Sequence, residues 1–190
     1  MTLTQITRVA ILADTHGFLD PRIAERVVTC DYAVHAGDVG GAEVLCSLNP
    51  RISVIAIRGN NDTPAKWAAS ETHFLENLPA IAQLELPGGL LVVTHGDDAR
   101  SLSERHRHLR KTYADARAVV YGHSHRLTMD CDSNPWILNP GAAGRTRVQG
   151  GPSCLLLSCT EAAWSVESVQ LPARRYPNRD GRRRRTQVAN

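Results

Sequence analysis

Short apolar segments alternate with helical segments along the first third of the chain. Ile6 to Ala13 is a continuous apolar, β-branched run of the kind that buried strands show, and the pattern recurs at Tyr32 to Ala36 and Ile52 to Ile57. Between these runs, Pro21 to about Val28 and Gly41 to Leu48 predict helices, the first with a proline in its first turn. This β-α-β-α-β order predicts parallel strands covered by helices.

The pattern changes in the rest of the chain. Pro87-Gly88-Gly89 predicts a hairpin between Ile81 to Leu86 and Leu90 to Thr94. Ser101 or Ser103 is expected to cap a charged helix that reaches about Ala114. Further short strands are predicted at Ala118 to Tyr121, Leu127 to Asp130, Trp136 to Leu138, Ser153 to Ser158 and Trp164 to Gln170. They indicate a second, mixed or antiparallel sheet. Two sheets packed face to face with helices outside make a four-layer αββα sandwich of the α/β class.

The composition is that of one soluble globular domain. The chain has 190 residues, of which 42% are hydrophobic and 22% are charged. No apolar run approaches the roughly 20 residues that span a membrane, and Met1 to Gln5 does not begin a signal peptide. The five cysteines show no Cys-x-x-Cys spacing, which favours buried free thiols over disulfides or a thiolate metal site. We therefore expect a cytoplasmic protein that does not bind a membrane.

The net charge of +3 comes from the C-terminal end of the chain. From Arg174 onward there are seven Arg and one Asp, so residues 1–173 hold 15 basic and 18 acidic groups and carry a charge of −3. We divide the chain into a domain, residues 1–171, and an Arg-rich tail, residues 172–190, that is predicted to be disordered. The charge of the domain does not favour nucleic-acid binding, and such a contact is left open for the tail alone.

Candidate metal ligands follow the predicted strands in five short motifs. In order, the motifs are Asp14-Thr15-His16, Gly37-Asp38, Gly59-Asn60-Asn61-Asp62, His95-Gly96 and Gly122-His123-Ser124-His125. Ligands bind at the carboxyl ends of the strands in an open α/β sheet, so we expect these side chains to share one rim. Residues two apart face the same side of an extended segment, so Asp14 and His16 should reach one cation. The same spacing applies to His123 and His125.

The types of ligand indicate which cations fit. Imidazole nitrogen combined with Asp and Asn oxygen suits Mn²⁺, Fe²⁺, Ni²⁺ or Zn²⁺ better than Ca²⁺. The five motifs hold seven candidate ligands, which is more than the coordination number of one such cation. Two cations can share these ligands if one carboxylate bridges them. A pair of cations about 3.5–4 Å apart binds a phosphoryl group, activates a water and stabilises the leaving oxygen. We therefore expect two divalent metal ions, with Mn²⁺ favoured.

The ordered set of motifs resembles the calcineurin-like metallophosphoesterase superfamily, and most closely its small single-domain prokaryotic phosphodiesterases. The resemblance extends from Ile6 to Val169 and includes Asn139-Pro140-Gly141, which is similar to a late turn of that family. It implies an αββα sandwich and two metal ions. It also implies the ligands, which are Asp14, His16 and His125 for the first metal, Asn60, His95 and His123 for the second, and Asp38 as the bridge.

Two positions depart from the protein phosphatases of that superfamily. In those phosphatases, as the resemblance implies, the residue after the ligand Asn is a His that protonates the leaving oxygen. An Asp three residues after the bridging Asp orients this His. The present chain has Asn61 and Gly41 at these positions. Because a general acid contributes about 10²–10⁴-fold, we expect the site to expel good leaving groups most efficiently. Asn61 is expected to donate a hydrogen bond to a phosphate oxygen, and Asn60, Asn61 and His95 are the predicted catalytic residues.

Other polar residues carry weaker signals. Arg100, with Arg105 as the alternative, is a candidate for binding the substrate phosphate, because guanidinium groups bind phosphate bidentately. His35 is expected in the core or behind the ligands, and Asp62 is expected to orient its loop. The basic residues of the charged helix are predicted to form a solvated face, which comprises Arg105, His106, Arg107, His108 and Arg110.

These features predict a dinuclear metal-dependent phosphoesterase, and specifically a phosphodiesterase in which a metal-bridging water attacks a small phosphate ester. Phosphomonoester or nucleotide hydrolysis stays open, as does a nuclease that uses the Arg-rich tail. A non-catalytic scaffold is the alternative from another class, because the retromer subunit that resembles these enzymes has a degraded metal site and binds partners. The full ligand set here argues against a scaffold. The sequence does not indicate the physiological substrate, and it leaves a homo-oligomer open.

Overall fold

The computed structural model of the chain describes residues 6–98, 100–145 and 147–174. Its strands are β1 (Thr7–Leu12), β2 (Tyr32–Ala36), β3 (Ser53–Ile57), β4 (Ile81–Leu86), β5 (Gly89–Thr94), β6 (Ala118–Val120), β7 (Leu127–Asp130), β8 (Trp136–Pro140), β9 (Ser153–Cys159) and β10 (Trp164–Gln170). Its helices are α1 (Pro21–Val27), α2 (Ala42–Ser47), α3 (Thr72–Asn77) and α4 (Leu102–Thr112), and a 3-10 turn at Ala69–Glu71 precedes α3. Of the predicted Arg-rich tail, residues 175–190 lie outside the described residues.

The first sheet combines parallel and antiparallel strands in the order β10-β9-β1-β2-β3. The strands β1, β2 and β3 pair in parallel, as the β-α-β-α-β pattern predicts. β9 runs antiparallel to β1, with Leu155 opposite Ile11, and β10 runs antiparallel to β9. The prediction that these last two strands belong to the second sheet is therefore wrong. An apolar strand pattern reports a buried face, but it does not identify the strand with which it pairs.

The second sheet has the order β4-β5-β6-β8-β7 and is mixed. The strands β5, β6 and β8 are parallel, whereas the edge strands β4 and β7 run antiparallel to their neighbours. The predicted hairpin joins β4 to β5, and Gly88 takes the left-handed backbone of its turn, with φ of 80°. A Cβ atom at Gly88 would also lie only 2.6 Å from the carbonyl oxygen of Thr160. The hairpin therefore needs glycine for both conformation and space.

Apolar side chains fill three interfaces and give the protein four layers. Val34 of the first sheet and Leu91 of the second belong to the cluster between the sheets. Ile23 and Val27 of α1 pack on the outer face of the first sheet, and Leu109 of α4 packs on the outer face of the second. Each such side chain contributes about 1.5–3 kcal/mol when it is fully buried. The predicted αββα sandwich is confirmed.

The segment before β4 contains helical structure that the sequence pattern does not predict. The 3-10 turn and α3 lie there, and Leu75 of α3 packs in a small cluster with Trp67 and Val39. A helix of six residues is too short to show a clear helical period of apolar positions. Throughout the described part of the chain, no helix has the length and the apolar character that crossing a membrane requires.

Helix α4 covers the second sheet with two buried polar side chains. Ser101 is its cap and accepts a hydrogen bond from the Glu104 main chain, so one of the two predicted caps is confirmed. Arg105 and His106 are only 7% and 8% exposed. The prediction of a solvated face is therefore wrong for these two residues, although Arg107 and His108 are exposed.

His106 and Arg105 are buried because each has polar partners on the sheet side of the helix. The His106 ring lies 2.9 Å from Asp130 Oδ2 through Nδ1 and 3.1 Å from the Tyr121 hydroxyl through Nε2. Arg105 donates to the carbonyl oxygen of Asp98 at 2.8 Å. Buried polar groups are stable when they are hydrogen-bonded in this way. A sequence pattern that separates only apolar from charged positions does not reveal such pairs.

We expect His106→Ala to lower the free energy of unfolding by about 1–3 kcal/mol, because it removes one partner of the buried Tyr121 hydroxyl and one partner of Asp130. The matched control is His108→Ala on the exposed side of the same helix, which should change this free energy by less than about 0.5 kcal/mol. Urea unfolding of both variants measures the difference. Equal destabilisation by the two variants would contradict a specific role for the buried ring.

Candidate metal centre

The candidate ligands lie where the carboxyl ends of strands from both sheets share one rim. Asp14, Asp38, Asn60, His95 and His123 follow β1, β2, β3, β5 and β6 respectively. A hydrogen bond between His95 Nδ1 and the carbonyl oxygen of Ala36, at 2.9 Å, joins the rim of the second sheet to that of the first. The packing of the two sheets therefore brings the five motifs together.

Several ligands have a left-handed backbone in place of the extended backbone expected for their motifs. The φ angle is 54° at Asp14, 47° at His16, 55° at Asp38, 64° at His123 and 55° at His125. This conformation costs a non-glycine residue on the order of 1–3 kcal/mol and is characteristic of functional sites. The extended geometry predicted for these motifs is wrong. The turns aim Asp14 and His16 at one group of ligands, but they separate His123 from His125.

The first group of ligands, the first cluster, consists of Asp14, His16, Asp38 and His125. One ligand atom from each residue lies within 4.8 Å of the others. The Nε2 atoms of His16 and His125 are 3.2 Å apart. His125 Nε2 is 3.6 Å from Asp14 Oδ1, and His16 Nε2 is 3.8 Å from Asp38 Oδ2. These atoms converge on one point, as the ligands of a cation do.

The second cluster consists of Asn60, His95, His123 and, again, Asp38. Asn60 Oδ1 lies 3.1 Å from His95 Nε2 and 3.1 Å from His123 Nδ1. His95 Nε2 is 3.4 Å from Asp38 Oδ1. One oxygen of Asp38 therefore faces each cluster. That the residues of this cluster hold a second metal, as the sequence resemblance implies, stays a prediction.

A buried carboxylate oxygen in the first cluster shows that the donor set fits a cation. Asp14 is fully buried, and its Oδ1 accepts a hydrogen bond from the His123 main chain at 3.2 Å. Its Oδ2 receives no hydrogen bond from the residues that the structure describes. Burial raises the pKa of Asp14 to about 7, although the charge of His95 opposes this shift. A bound divalent metal would satisfy this oxygen and stabilise the ionised carboxylate.

The protonation states of the other ligands also suit metal binding. Burial acts to raise the pKa of Asp38, but hydrogen bonds from His95 and Asn61 hold it well below its usual range. Burial lowers the pKa of His16 and of His123, which favours the neutral imidazole that a metal binds. His95 differs, because the Asp38 carboxylate raises its pKa against the effect of burial. A metal at the second cluster would bind the neutral form of His95.

Asp62 holds the loops of Asp38 and Asn60 together. Its carboxylate accepts hydrogen bonds from the main-chain N–H groups of Val39 at 3.0 Å, Gly40 at 2.8 Å and Gly59 at 2.9 Å. A further bond comes from Trp67 Nε1 at 3.1 Å. All of these donors bind one carboxylate, so Asp62 orients two ligand loops and lies outside both clusters.

Asn139 and His35 support other ligand loops. Asn139 is buried, and its Nδ2 donates to the Gly122 carbonyl oxygen at 2.8 Å and to Ser124 Oγ at 3.1 Å. His35 is buried, and its Nε2 lies 2.9 Å from the hydroxyl of Thr15, between two ligands of the first cluster. The sequence shows Asn139 only as part of a turn, so its support of the His123 and His125 loop becomes visible in the structure alone.

The two residues predicted to bind substrate already have partners on the protein. Asn61 donates to both oxygens of Asp38, from its main-chain N–H and from Nδ2, each at 2.8 Å. Arg100 forms an ion pair with Asp98 on the loop after His95. Their contacts with a substrate phosphate stay predictions, with one Asn61 amide hydrogen still available for such a contact.

Comparison with known proteins now identifies the family. Residues 7–162 match the calcineurin-like phosphoesterase superfamily domain. The chain belongs to the calcineurin-like phosphoesterase superfamily. This family uses divalent metals, in agreement with the cluster that the structure forms from Asp14, His16, Asp38 and His125.

Individual relatives agree with this family. A probable metallophosphoesterase from Methanocaldococcus jannaschii is 27% identical over 140 residues, which cover 70% of this chain and 67% of that protein. Vps29 from Entamoeba histolytica has a TM-score of 0.66 at 17% identity, covering 87% of this chain and 99% of its own. An archaeal phosphodiesterase has a TM-score of 0.64 at 19% identity, with coverages of 86% and 100%. At such identities the two solved structures show a shared fold.

We expect Mn²⁺ to raise the melting temperature of the purified protein, because a ligand that binds only the folded state stabilises that state. At a free ligand concentration of 100 times the dissociation constant, the stabilisation is about 2.7 kcal/mol. Asp38→Ala should abolish most of this shift, since each cluster includes an oxygen of that carboxylate. Asp132→Ala, at an exposed position away from both clusters, is the control. Thermal unfolding and metal analysis after gel filtration measure the effect. Full metal retention in Asp38→Ala would disprove the shared ligand.

Proposed function

We propose that the protein is a dinuclear metal-dependent phosphodiesterase. The observation that carries this proposal is the position of Asp38, whose two carboxylate oxygens face two separate clusters. Asp14, His16 and His125 would hold one metal with Asp38, and Asn60, His95 and His123 would hold the other. Divalent metals at such a site neutralise phosphate oxygens and lower the pKa of a bound water that serves as the nucleophile.

The protein's own residues orient the reacting groups. Asn61 fixes the Asp38 carboxylate through two hydrogen bonds, so the shared ligand has one orientation. His95 is oriented in turn by the carbonyl oxygen of Ala36. Asn60 is exposed at the surface of the second cluster, where an incoming phosphate ester can approach. The site therefore offers preformed ligands on one side and access on the other.

The arrangement around Asn61 supports a preference for good leaving groups. Neither Asn61 nor Gly41 can donate a proton as an imidazole–carboxylate pair does, and the nearest group to a Cβ atom at Gly41 would be Glu71 Oε2 at 3.7 Å. Glu71 thus lies near the position from which the phosphatases use an Asp, but no imidazole lies at Asn61 for it to orient. Substrates whose leaving group needs no protonation are the ones that such a site hydrolyses fastest.

A cleft beside the second cluster supports a diester as the substrate. It has a volume of about 330 Å³ and is lined in part by Asn60 and His95. Its other lining residues include Arg58, Ala80, Ile81 and Asp97. The cleft therefore combines apolar surface with one cationic and one anionic residue. A phosphodiester has two substituents on phosphorus, and this cleft provides room for the one that a monoester lacks.

A scaffold function is the second candidate, because the fold resembles that of Vps29. The full set of candidate ligands and the buried Asp14 carboxylate favour the hydrolase, since a scaffold does not need a buried carboxylate oxygen that lacks a hydrogen bond from the described residues. The nuclease alternative depends on the Arg-rich tail, most of which lies outside the described residues. Metal-dependent turnover distinguishes the hydrolase from the scaffold.

We expect an aryl phosphodiester with a nitrophenolate leaving group to be hydrolysed faster than the corresponding monoester and faster than an alkyl diester. The panel should include nucleotides and be repeated with Mn²⁺, Ni²⁺, Zn²⁺ and Mg²⁺ supplied separately. The expected ratio of kcat/KM between aryl and alkyl diesters is at least about 10²-fold, the contribution of a missing general acid. Faster hydrolysis of monoesters would overturn the diester assignment, and no turnover with any metal would favour the scaffold.

We expect Asn61→Ala to lower kcat for the aryl diester by about tenfold or more while the metal content stays unchanged. The substitution removes a hydrogen bond to the shared carboxylate, and a hydrogen bond to a charged acceptor contributes about 1.5–3 kcal/mol. Asn77→Ala is the control, since Asn77 is exposed on α3. Steady-state kinetics and metal analysis measure the two quantities. Equal rates in Asn61→Ala and the unaltered protein would refute a catalytic role for this amide.

A further inference from the structure

Arg147 lies directly against the first cluster, although no motif singles it out. Its Nη2 atom is 3.1 Å from His125 Nε2 and 3.5 Å from His16 Nε2. A guanidinium group has donors only, so it binds the lone pairs of these imidazoles. A metal ion in the first cluster would take the same lone pairs. Arg147 and that metal therefore compete for one position.

Lys66 approaches the same cluster from another loop. Its ammonium group contacts Asn61 Oδ1, and Asn61 Nδ2 is 2.8 Å from the Asp38 oxygen that faces His16. Lys66 is exposed, so its side chain is free to turn toward a ligand above the cluster. Two cationic side chains thus lie near the first cluster, whereas Asn60 and His95 of the second cluster line the cleft.

With two metals bound, the charges at this end of the site favour the binding of an anion. In the chain alone, the carboxylates of Asp14, Asp38 and Asp62 exceed the cations of Lys66 and Arg147 by one charge. Two divalent metals add four positive charges, of which a phosphodiester monoanion and a hydroxide together offset only two. A second ionised phosphate group on the substrate would offset the remaining charge. Both side chains bind phosphate well, because the planar guanidinium group of Arg forms paired hydrogen bonds and the ammonium group of Lys supplies a positive charge.

We propose that Arg147 and Lys66 form an anion subsite at the first cluster that selects phosphate esters carrying a second phosphate group. Arg147 leaves the imidazoles of His16 and His125 when the metal binds, and it then contacts the added phosphate. This inference rests on the proposed hydrolytic function. It goes further in naming a substrate class and a residue that exchanges partners as the metals bind.

The exchange of partners has a consequence that a purely structural role does not produce. Removing Arg147 takes away the competitor for the imidazole lone pairs, so metal should bind more tightly. The same change removes a phosphate contact, so anions should bind less tightly. A residue that merely stabilises its loop would weaken both metal and anion binding when it is removed.

The test measures binding without turnover. We expect Arg147→Ala to lower the dissociation constant for Mn²⁺, followed by titration calorimetry, by about 3- to 10-fold, the equivalent of up to about 1.4 kcal/mol. In the metal-loaded protein, at one fixed concentration of free Mn²⁺, Arg147→Ala and Lys66→Ala should each weaken pyrophosphate binding about tenfold. Inorganic phosphate should lose less affinity than pyrophosphate, because it has no second phosphate group to occupy the subsite.

Matched controls are available for both cations. Arg145→Ala changes an arginine two positions away whose guanidinium stacks on the Phe18 ring at 4.7 Å. Lys111→Ala changes an exposed lysine on α4. Both control variants should bind Mn²⁺ and pyrophosphate like the unaltered protein. Arg147→Lys keeps the charge and should restore part of the pyrophosphate affinity.

Two results would overturn the subsite. Weaker binding of both Mn²⁺ and pyrophosphate by Arg147→Ala would show a structural role, and unchanged pyrophosphate binding by both alanine variants would show that the cations do not contact the anion. The proposed hydrolytic function is judged separately. Absence of turnover on every ester, together with the expected changes in binding, would reject hydrolysis and retain an anion-binding metal site.

Discussion

The carboxylate of Asp38 is the group on which the rest of the site depends. One oxygen faces His16 at 3.8 Å and the other faces His95 at 3.4 Å, so both clusters are completed by the same side chain. Asn61 binds both oxygens and prevents the carboxylate from turning away. Because one rigid group serves both clusters, its position sets the distance between them. In the proposed function, metal binding and the orientation of a phosphate ester would both depend on this single residue.

Holding Asp38 in this position requires both sheets and several main-chain contacts. Asp62 draws together the loops after β2 and β3, and the bond between His95 and Ala36 joins the second sheet to the first. These contacts, with the apolar core between the sheets, offset the cost of a left-handed backbone at Asp38. Close approach also requires glycine nearby, since a Cβ atom at Gly37 would lie 2.6 Å from His95 Nδ1. The fold thus maintains a site that is locally unfavourable.

The two ends of the site differ in chemical character. Beside the second cluster lies a cleft that combines apolar walls with Arg58 and Asp97, whereas Arg147 and Lys66 border the first cluster. Asn61 stands between them without the acid–base chemistry of an imidazole. The rim therefore provides charge and fixed ligands, which are the means of electrostatic catalysis, in place of a proton donor. This distribution supports the proposed preference for substrates with a good leaving group and additional negative charge.

The sequence alone determined the parts of the protein that depend on local chemistry. Apolar runs located the strands, and the order of the motifs after them predicted the candidate ligands from Asp14 to His125. Only the tertiary structure decided that β9 and β10 join the first sheet, because strand pairing joins segments far apart in the chain. The left-handed turns that send His123 and His125 to different clusters were likewise outside the reach of spacing rules. His106 is buried, and Arg147 reaches the imidazoles, because residues distant in the chain supply their partners. The sequence around a charged residue does not indicate which distant residue it contacts, so its burial and its contacts depend on the completed fold.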